Sequence, residues 1–114
     1  LAYVMPSHHF PLGTVMPIQR RMQLLAWAAG GNRFLIEDDY DSEFRYKGKP
    51  VPSLQGYDTA GRVIYLGTFS KSLAPAIRVS YMVLPPVLLE TYRQRASNFS
   101  ATVSRWIRKF WSCF

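Results

Sequence analysis

The chain has 114 residues, of which 48% are hydrophobic and 15% aromatic, so it can bury one small core and lacks the composition of a disordered or collagen-like protein. Its formal net charge is +7, yet residues 1–90 carry nine basic and seven acidic side chains, whereas residues 91–114 carry five basic and no acidic ones. The positive excess therefore belongs mainly to the carboxyl-terminal tail and not to a basic surface over the whole domain.

Cysteine content and hydropathy indicate the cellular setting. The single cysteine, Cys113, excludes an internal disulfide and agrees with a reducing, cytoplasmic environment. No apolar run approaches the roughly 20 residues of a membrane span, and no signal-peptide pattern is present, so we expect no membrane partner. The chain opens directly on an apolar run at Leu1, which we interpret as part of a longer protein.

The first third of the chain predicts a strand followed by a helix. The apolar run 1–5 ends at Pro6, which is typical of a short buried strand that leads into a loop. A helical repeat follows between Pro17, a favoured first helical residue, and Gly30, a favoured stop. Its apolar face is expected to consist of Ile18, Met22, Leu25, Ala26 and Ala29, with Arg20, Arg21 and Gln23 facing water.

A second apolar run, 34–36, predicts a strand that delivers acidic groups to its carboxyl end. The acidic residues that follow it are Glu37, Asp38, Asp39 and Asp41. The carboxyl edge of an α/β sheet is where ligands usually bind. In isolation, however, such a run more often forms turns and helix caps.

The second half predicts two further strands and a helix. Range 42–59 contains several glycines and prolines and is expected to be irregular, whereas 63–66 and 79–84 are predicted strands. Pro86 is expected near the start of a final helix, with an apolar face made of Leu88, Leu89, Tyr92 and Ala96. This order predicts part of an α/β domain with a largely parallel sheet.

Lys71 lies between these two predicted strands, in a segment rich in small and hydroxyl-bearing residues. A lysine beside apolar residues can lose its proton and form a Schiff base with an aldehyde cofactor, most often pyridoxal 5'-phosphate. That cofactor also needs a carboxylate at its ring nitrogen, a donor at its phenolate oxygen, and hydroxyls with a guanidinium at its phosphate. The candidates are Asp38 for the nitrogen, Tyr40 for the phenolate, and Thr68, Ser70 and Arg78 for the phosphate.

Each of these residues also has an ordinary explanation. A lysine in a loop is usually a solvated surface charge. An arginine such as Arg78 is commonly a surface ion-pair partner that contributes little to stability. The separate signals are therefore weak, and their order along the chain is more informative than any one of them.

Three segments in this order resemble successive motifs of fold-type I aminotransferases: 7–13 (SHHFPLG), 36–44 (IEDDYDSEF), and 67–71 (GTFSK) continuing to Arg78. More closely, they resemble the aminotransferase-like domain of MocR-type regulators in the GntR superfamily, from about Tyr3 to Ser104. The resemblance implies the large α/β domain of a dimeric protein, with a mostly parallel sheet flanked by helices. It divides the chain into a partial pyridoxal-phosphate-binding domain, 1–104, and an atypical basic and aromatic tail, 105–114.

The resemblance also implies a role for each matching residue. Lys71 matches the lysine that forms the internal aldimine, Asp38 the aspartate paired with the pyridinium nitrogen, and Tyr40 the tyrosine that hydrogen-bonds the phenolate oxygen. Thr68 and Arg78 match phosphate contacts, with Ser70 as a third. By analogy, such a domain senses an amino acid or other small amine, the protein is a homodimer, and DNA is bound only by a winged-helix domain outside this chain.

Two departures from the enzyme pattern keep alternatives open. Phe10 stands where aminotransferases have an asparagine that supports the phenolate oxygen, and phenylalanine cannot donate that hydrogen bond. The upstream phosphate loop and the small-domain arginine are absent from these 114 residues. The alternatives to a regulator domain are a fragment of a metabolic class I/II aminotransferase and an inactive truncated remnant.

Two further hypotheses concern local motifs. His8 and His9 suggest a metal site only weakly, because they belong to the first motif and no further ligands are near them in sequence. The tail, in which basic residues alternate with Trp106, Phe110 and Trp111, has the composition of an amphipathic membrane-surface or nucleic-acid-binding helix, but it is very short for either task.

Overall fold

A computed structural model describes residues 1–9, 11–40, 52–69 and 79–98. Its strands are β1 (Ala2–Val4), β2 (Leu35–Asp38), β3 (Val63–Thr68) and β4 (Ser80–Val83), and its helices are α1 (Ile18–Ala29), α2 (Leu54–Tyr57) and α3 (Pro86–Arg95), with a 3-10 turn at Ala96–Asn98. The strands form one sheet in the order β1-β2-β3-β4, in which β1, β2 and β3 are parallel and β4 is antiparallel to β3. This mixed, mostly parallel sheet confirms the predicted α/β class.

The strand register gives the sheet two different faces. Leu35 pairs with Val63, and both pack with Ala28 of α1 and Leu54 of α2 in the buried core. Because side chains alternate along a strand, Glu37 lies on this same side, which we call the helix face. Tyr3, Asp38 and Thr68 lie on the opposite side, which we call the site face.

Helix α1 is oriented differently from the prediction. Arg21, expected to face water, is fully buried, whereas Ile18 and Met22, expected to pack, are 44% and 38% exposed. The Arg21 guanidinium donates through Nε to the Met16 carbonyl at 3.1 Å, through Nη1 to Pro52 at 2.8 Å, and through Nη2 to Pro6 at 2.9 Å. Arginine has five N–H donors in a fixed geometry, so one buried side chain can donate to carbonyls at three separate loop positions.

Several element boundaries also differ from the sequence expectation. Pro17 is the N-cap of α1 and not its first helical residue. The range expected to be irregular contains the short helix α2, whose N-cap Ser53 accepts a hydrogen bond from the Gly56 amide at 3.1 Å. Strand β3 continues to Thr68, two residues beyond the prediction, because its end pairs with Ser80 of β4.

Helix α3 forms at the predicted place, with Pro86 at its start. It buries no residue, and the expected apolar-face residue Tyr92 is 52% exposed. The predicted helix is therefore confirmed, but its predicted packing face is not buried within the described residues. None of the helices in those residues is both long enough and apolar enough to cross a bilayer.

Candidate functional site at the carboxyl ends of the strands

Glu37, the first of three consecutive acidic residues, serves the fold. It is fully buried on the helix face, where Oε1 accepts from the Leu54 amide at 2.8 Å and Oε2 from the Gln55 amide at 2.9 Å. These amides belong to the first turn of α2 and have no partner within that helix. Burial raises the pKa of Glu37, although the two amides act in the opposite direction. Glu37 thus fixes α2 to β2 and does not belong to a cluster at the strand end.

Asp39, the third acidic residue, connects the end of β2 to β3. Its side chain is 7% exposed and its Oδ2 accepts from the Tyr65 hydroxyl at 2.8 Å. Its backbone amide donates to the Leu66 carbonyl at 3.0 Å, which continues the parallel pairing past the strand. Within the described part of the chain, Asp39 Oδ1 has no hydrogen-bond partner.

Asp38, between them, lies on the site face and has a different partner. The Tyr3 hydroxyl donates a hydrogen bond to its Oδ2. The contact follows from the register, because Tyr3 is paired with Ile36 and Asp38 lies two residues further along the same face. This hydrogen bond to a carboxylate raises the pKa of Tyr3 to about 12. Among the residues described, no other donor reaches Asp38, so Oδ1 remains available.

The other two described candidates lie at the same edge of the sheet. Tyr40 follows Asp38 by two residues, and its ring meets His8 edge-on, with 6.1 Å between ring centroids. Thr68 ends β3 on the site face, two residues beyond the register partner of Asp38, and its Oγ1 donates to the Val79 carbonyl at 3.3 Å. The structure therefore brings Asp38, Tyr40 and Thr68 to the carboxyl ends of adjacent parallel strands.

The loop after β1 reaches this edge as a tight turn. The His9 amide donates to the Thr14 carbonyl at 3.0 Å, and the Gly13 amide donates to the His9 carbonyl at 2.8 Å. Gly13 has a φ of 67°, a conformation that favours glycine. A cavity of about 420 Å³ lies between this loop and β1, lined mainly by apolar groups. In the ranges that the structure covers, no group of three or more potential metal ligands occurs.

The remaining candidates lie outside the described residues. These are Ser70, Lys71 and Arg78, together with Phe10 and the tail 105–114. Their roles, and the division of the chain at residue 104, remain predictions.

Comparison with known proteins identifies the family. Residues 4–107 match the sequence pattern of the aminotransferase class I and II family. The chain belongs to this family. It is 61% identical over 104 residues to the HTH-type transcriptional regulator YhdI of Bacillus subtilis strain 168, and the match covers 91% of this chain and 22% of that protein. It is 45% identical over 98 residues to the probable rhizopine catabolism regulatory protein MocR of Rhizobium meliloti, covering 86% of this chain and 20% of that protein.

The fold has a counterpart among solved enzymes. The crystal structure of Pyrococcus horikoshii kynurenine aminotransferase in complex with PMP matches with a TM-score of 0.74 and 38% identity, over 83% of this chain and 24% of the enzyme. These similarities confirm the predicted fold type and the resemblance to MocR-type regulators. The chain spans about a fifth of the length of the curated regulators that it matches.

Sequence reasoning missed one member of the site, Tyr3. In the sequence it is only one residue of an apolar strand, yet it is 55% exposed and bonded to a candidate residue 35 positions away. Alternation alone indicates that Tyr3 faces away from Ala2 and Val4, which pack against the core. The pairing of β1 beside β2 was the missing information, because only that pairing places Tyr3 next to Asp38.

The functional groups of the described candidate residues are of the types that bind pyridoxal phosphate. Asp38 has a carboxylate oxygen on the site face that no donor of the described ranges reaches, and such an oxygen is well suited to a protonated ring nitrogen. Tyr40 and Thr68 contribute hydroxyl groups at the same edge of the sheet. The carboxyl ends of parallel strands are also where α/β proteins commonly bind their ligands.

Proposed function

We propose that this chain is part of the pyridoxal-phosphate-binding, effector-sensing domain of a MocR-type transcriptional regulator. The observation that carries the proposal is Asp38, which lies at the end of a parallel strand with one oxygen held by Tyr3 and the other without a donor among the described residues. The similarity to two regulators supports the regulatory context. When bound, pyridoxal phosphate supplies an aldehyde that bonds reversibly to amines.

In this proposal, the residues of the chain have separate tasks. Lys71 would hold the cofactor through Nζ, and the cofactor would supply an aldehyde for which an amino acid or other small amine competes with that lysine, without net oxidation or reduction. Asp38 keeps a proton on the ring nitrogen, and Tyr40 donates to the phenolate oxygen. Thr68, Ser70 and Arg78 bind the phosphate.

The proposed regulation depends on parts of the longer protein that lie outside this chain. Competition between Lys71 and a small amine for the cofactor would change the contacts of Lys71, and this difference would bias the arrangement of the whole protein. DNA contact is assigned to a winged-helix domain outside this chain, and the longer protein is proposed to be a cytoplasmic homodimer.

Chemical trapping on the purified protein tests the central bond. Pyridoxal phosphate is added, the visible absorption is recorded, and borohydride then makes the bond permanent for peptide mass mapping. We expect the pyridoxyl group on Lys71, and its loss in Lys71→Ala. The other lysines, Lys47, Lys49 and Lys109, are internal controls, and Lys109→Ala is the matched variant. Labelling spread over all four lysines, or no labelling, contradicts the proposal, and no labelling favours the inactive remnant.

A metabolic aminotransferase is the second candidate, favoured by the 38% identity to the solved kynurenine aminotransferase. The two functions differ in the chemical step that comes after amine exchange. The loaded protein is mixed with a panel of common L-amino acids, and 2-oxo acids are measured by mass spectrometry. The regulator proposal expects a change in absorption without stoichiometric oxo acid, whereas oxo acid formed in proportion to the bound cofactor, which would retain the amino group, identifies the enzyme. Phe10, which cannot donate a hydrogen bond, favours the regulator.

A further inference from the structure

We propose that Tyr3 is a positioning residue for the cofactor site: its hydroxyl holds Oδ2 of Asp38 and thereby directs Oδ1 toward a cationic ring nitrogen. The proposal rests on the proposed function, because it assigns Asp38 to that nitrogen. It adds a residue that lies outside the three recognised motifs.

The position of Tyr3 in β1 separates this task from core packing. Its neighbours Ala2 and Val4 pack against the buried core, whereas the Tyr3 side chain lies on the opposite face and is 55% exposed. Phenylalanine would retain the ring and lose only the hydroxyl. The interaction that distinguishes tyrosine from phenylalanine at this position is therefore the hydrogen bond to Asp38.

The chemistry of the pair suits a fixed donor. A hydroxyl that donates to a carboxylate forms a charge-assisted hydrogen bond, which is stronger than a neutral one. The hydrogen bond raises the pKa of Tyr3 to about 12, which reflects the preference of this carboxylate for a protonated donor. An aspartate with one oxygen held has fewer orientations to lose when the other oxygen binds a ligand, and this favours binding.

The same sheet supplies a matched control on its other side. Tyr65 donates to Asp39 at 2.8 Å, so it forms the same kind of phenol–carboxylate pair. That pair involves a buried aspartate and joins β3 to the end of β2, and neither residue is assigned to the cofactor. Tyr65→Phe therefore removes a similar hydrogen bond without touching Asp38.

A double-mutant cycle tests whether Tyr3 acts through Asp38. The dissociation constant for pyridoxal phosphate is measured for the parent protein, Tyr3→Phe, Asp38→Asn and the double variant, with circular dichroism to verify folding. We expect Tyr3→Phe to weaken binding about tenfold in the parent and less than about twofold when Asp38 is already asparagine. Tyr65→Phe should have the same effect in both backgrounds. Equal effects of Tyr3→Phe in both backgrounds, or no effect in either, would overturn the proposal.

A measurement without cofactor separates this proposal from the proposed function. Near pH 10, the ordinary pKa of tyrosine, Tyr3 should be almost wholly neutral in the parent and about half ionised in Asp38→Asn. The ultraviolet absorbance of ionised phenol, with the Tyr3→Phe signal subtracted, reports this fraction. Equal ionisation in both proteins contradicts the hydrogen bond and overturns the Tyr3 proposal. If the two proteins ionise as expected but neither binds pyridoxal phosphate, the proposed function is overturned, and the role of Tyr3 in cofactor binding falls with it. The hydrogen bond between Tyr3 and Asp38 would still be supported.

Discussion

The two faces of the sheet use the same chemical groups for different purposes. Glu37 and Asp38 are consecutive carboxylates in β2, yet Glu37 is enclosed by backbone amides of α2, whereas Asp38 is held at one oxygen by a partly exposed tyrosine. On the helix face, both oxygens of the carboxylate are used to hold the fold together. On the site face, only one oxygen of the Asp38 carboxylate is held by a donor within the part of the chain that the structure describes. The difference shows that a run of acidic residues is not one functional unit when alternate side chains point to opposite sides of a sheet.

The buried arginine of α1, Arg21, extends this comparison. Arg21 has its donors on three loop carbonyls and lies within the protein, as Glu37 does. Such groups are costly to remove because each of them holds two or three backbone groups from other segments of the chain, and those groups lose a hydrogen bond together. Changes on the site face should cost little stability and should mainly affect ligand binding, and single substitutions on each face can test this contrast.

The largest loss of stability is expected from Arg21→Met. It leaves the carbonyls of Pro6, Met16 and Pro52 without their shared donor, so the free energy of unfolding should fall by about 3 kcal/mol. Urea unfolding measures the loss. Arg20→Met, which removes an exposed contact with Gln23, is the matched control and should change stability by less than about 0.5 kcal/mol. Similar values for the two variants would contradict the structural role assigned to Arg21.

A pH-dependent effect is expected from Glu37→Gln. Because burial raises the folded-state pKa of Glu37 above its ordinary value of 4.5, folding favours the protonated form. That contribution to stability is complete below about pH 4.5 and is lost as the pH rises through the folded pKa. The parent should therefore lose stability relative to Glu37→Gln over this window in urea titrations at a series of pH values.

The control for this titration is a glutamate on the surface. Glu90 of α3 is exposed and accepts from Gln94 at 3.2 Å. The difference in unfolding free energy between the parent and Glu90→Gln should vary little over the same range. A flat difference curve for Glu37→Gln as well would mean that its carboxyl group is not buried as described.

A small effect on stability is expected from Asp38→Asn. Its side chain is only partly buried, so the free energy of unfolding should change by no more than about 0.5 kcal/mol. Pyridoxal phosphate binding should nevertheless weaken by at least about tenfold, because the ring nitrogen loses its counter-charge. Asp39→Ala is the contrasting variant: it removes the acceptor of the Tyr65 hydroxyl and should cost about 1 kcal/mol of stability. A reversed order of the two stability losses would break the distinction between the faces.

The smallest effect concerns alkaline pH. The folded-state pKa of Tyr3 is raised from about 10 to about 12 by its hydrogen bond to Asp38, so the associated stabilisation is complete below pH 10 and is lost between these two values. Unfolding curves at increasing pH should show a slight additional decline in the parent that is absent from Tyr3→Phe. Tyr92→Phe, at an exposed position on α3, should leave the decline unchanged.

Local sequence signals were sufficient for most elements. The apolar runs identified the four strands of the described ranges, and Pro17 and Gly30 marked the ends of α1 to within a residue. Helix α2 was missed because it has only four residues and depends on contacts with Glu37 and Ser53. The predicted packing face of α1 was right for Leu25, which packs against the core, and wrong for Ile18 and Met22. Hydrophobic periodicity cannot show that a buried arginine is needed to donate to loop carbonyls.

Strand patterns and motif spacing are local properties of the chain, and they were enough to predict the α/β class, the family motifs and the residue types that suit pyridoxal phosphate. The separation of Glu37, which serves the fold, from Asp38, which lies on the site face, became visible only in the folded chain, as did the contact of Tyr3 with Asp38. Side-chain environment depends on strand pairing and on what covers each face of the sheet, and both are set by contacts between residues far apart in sequence.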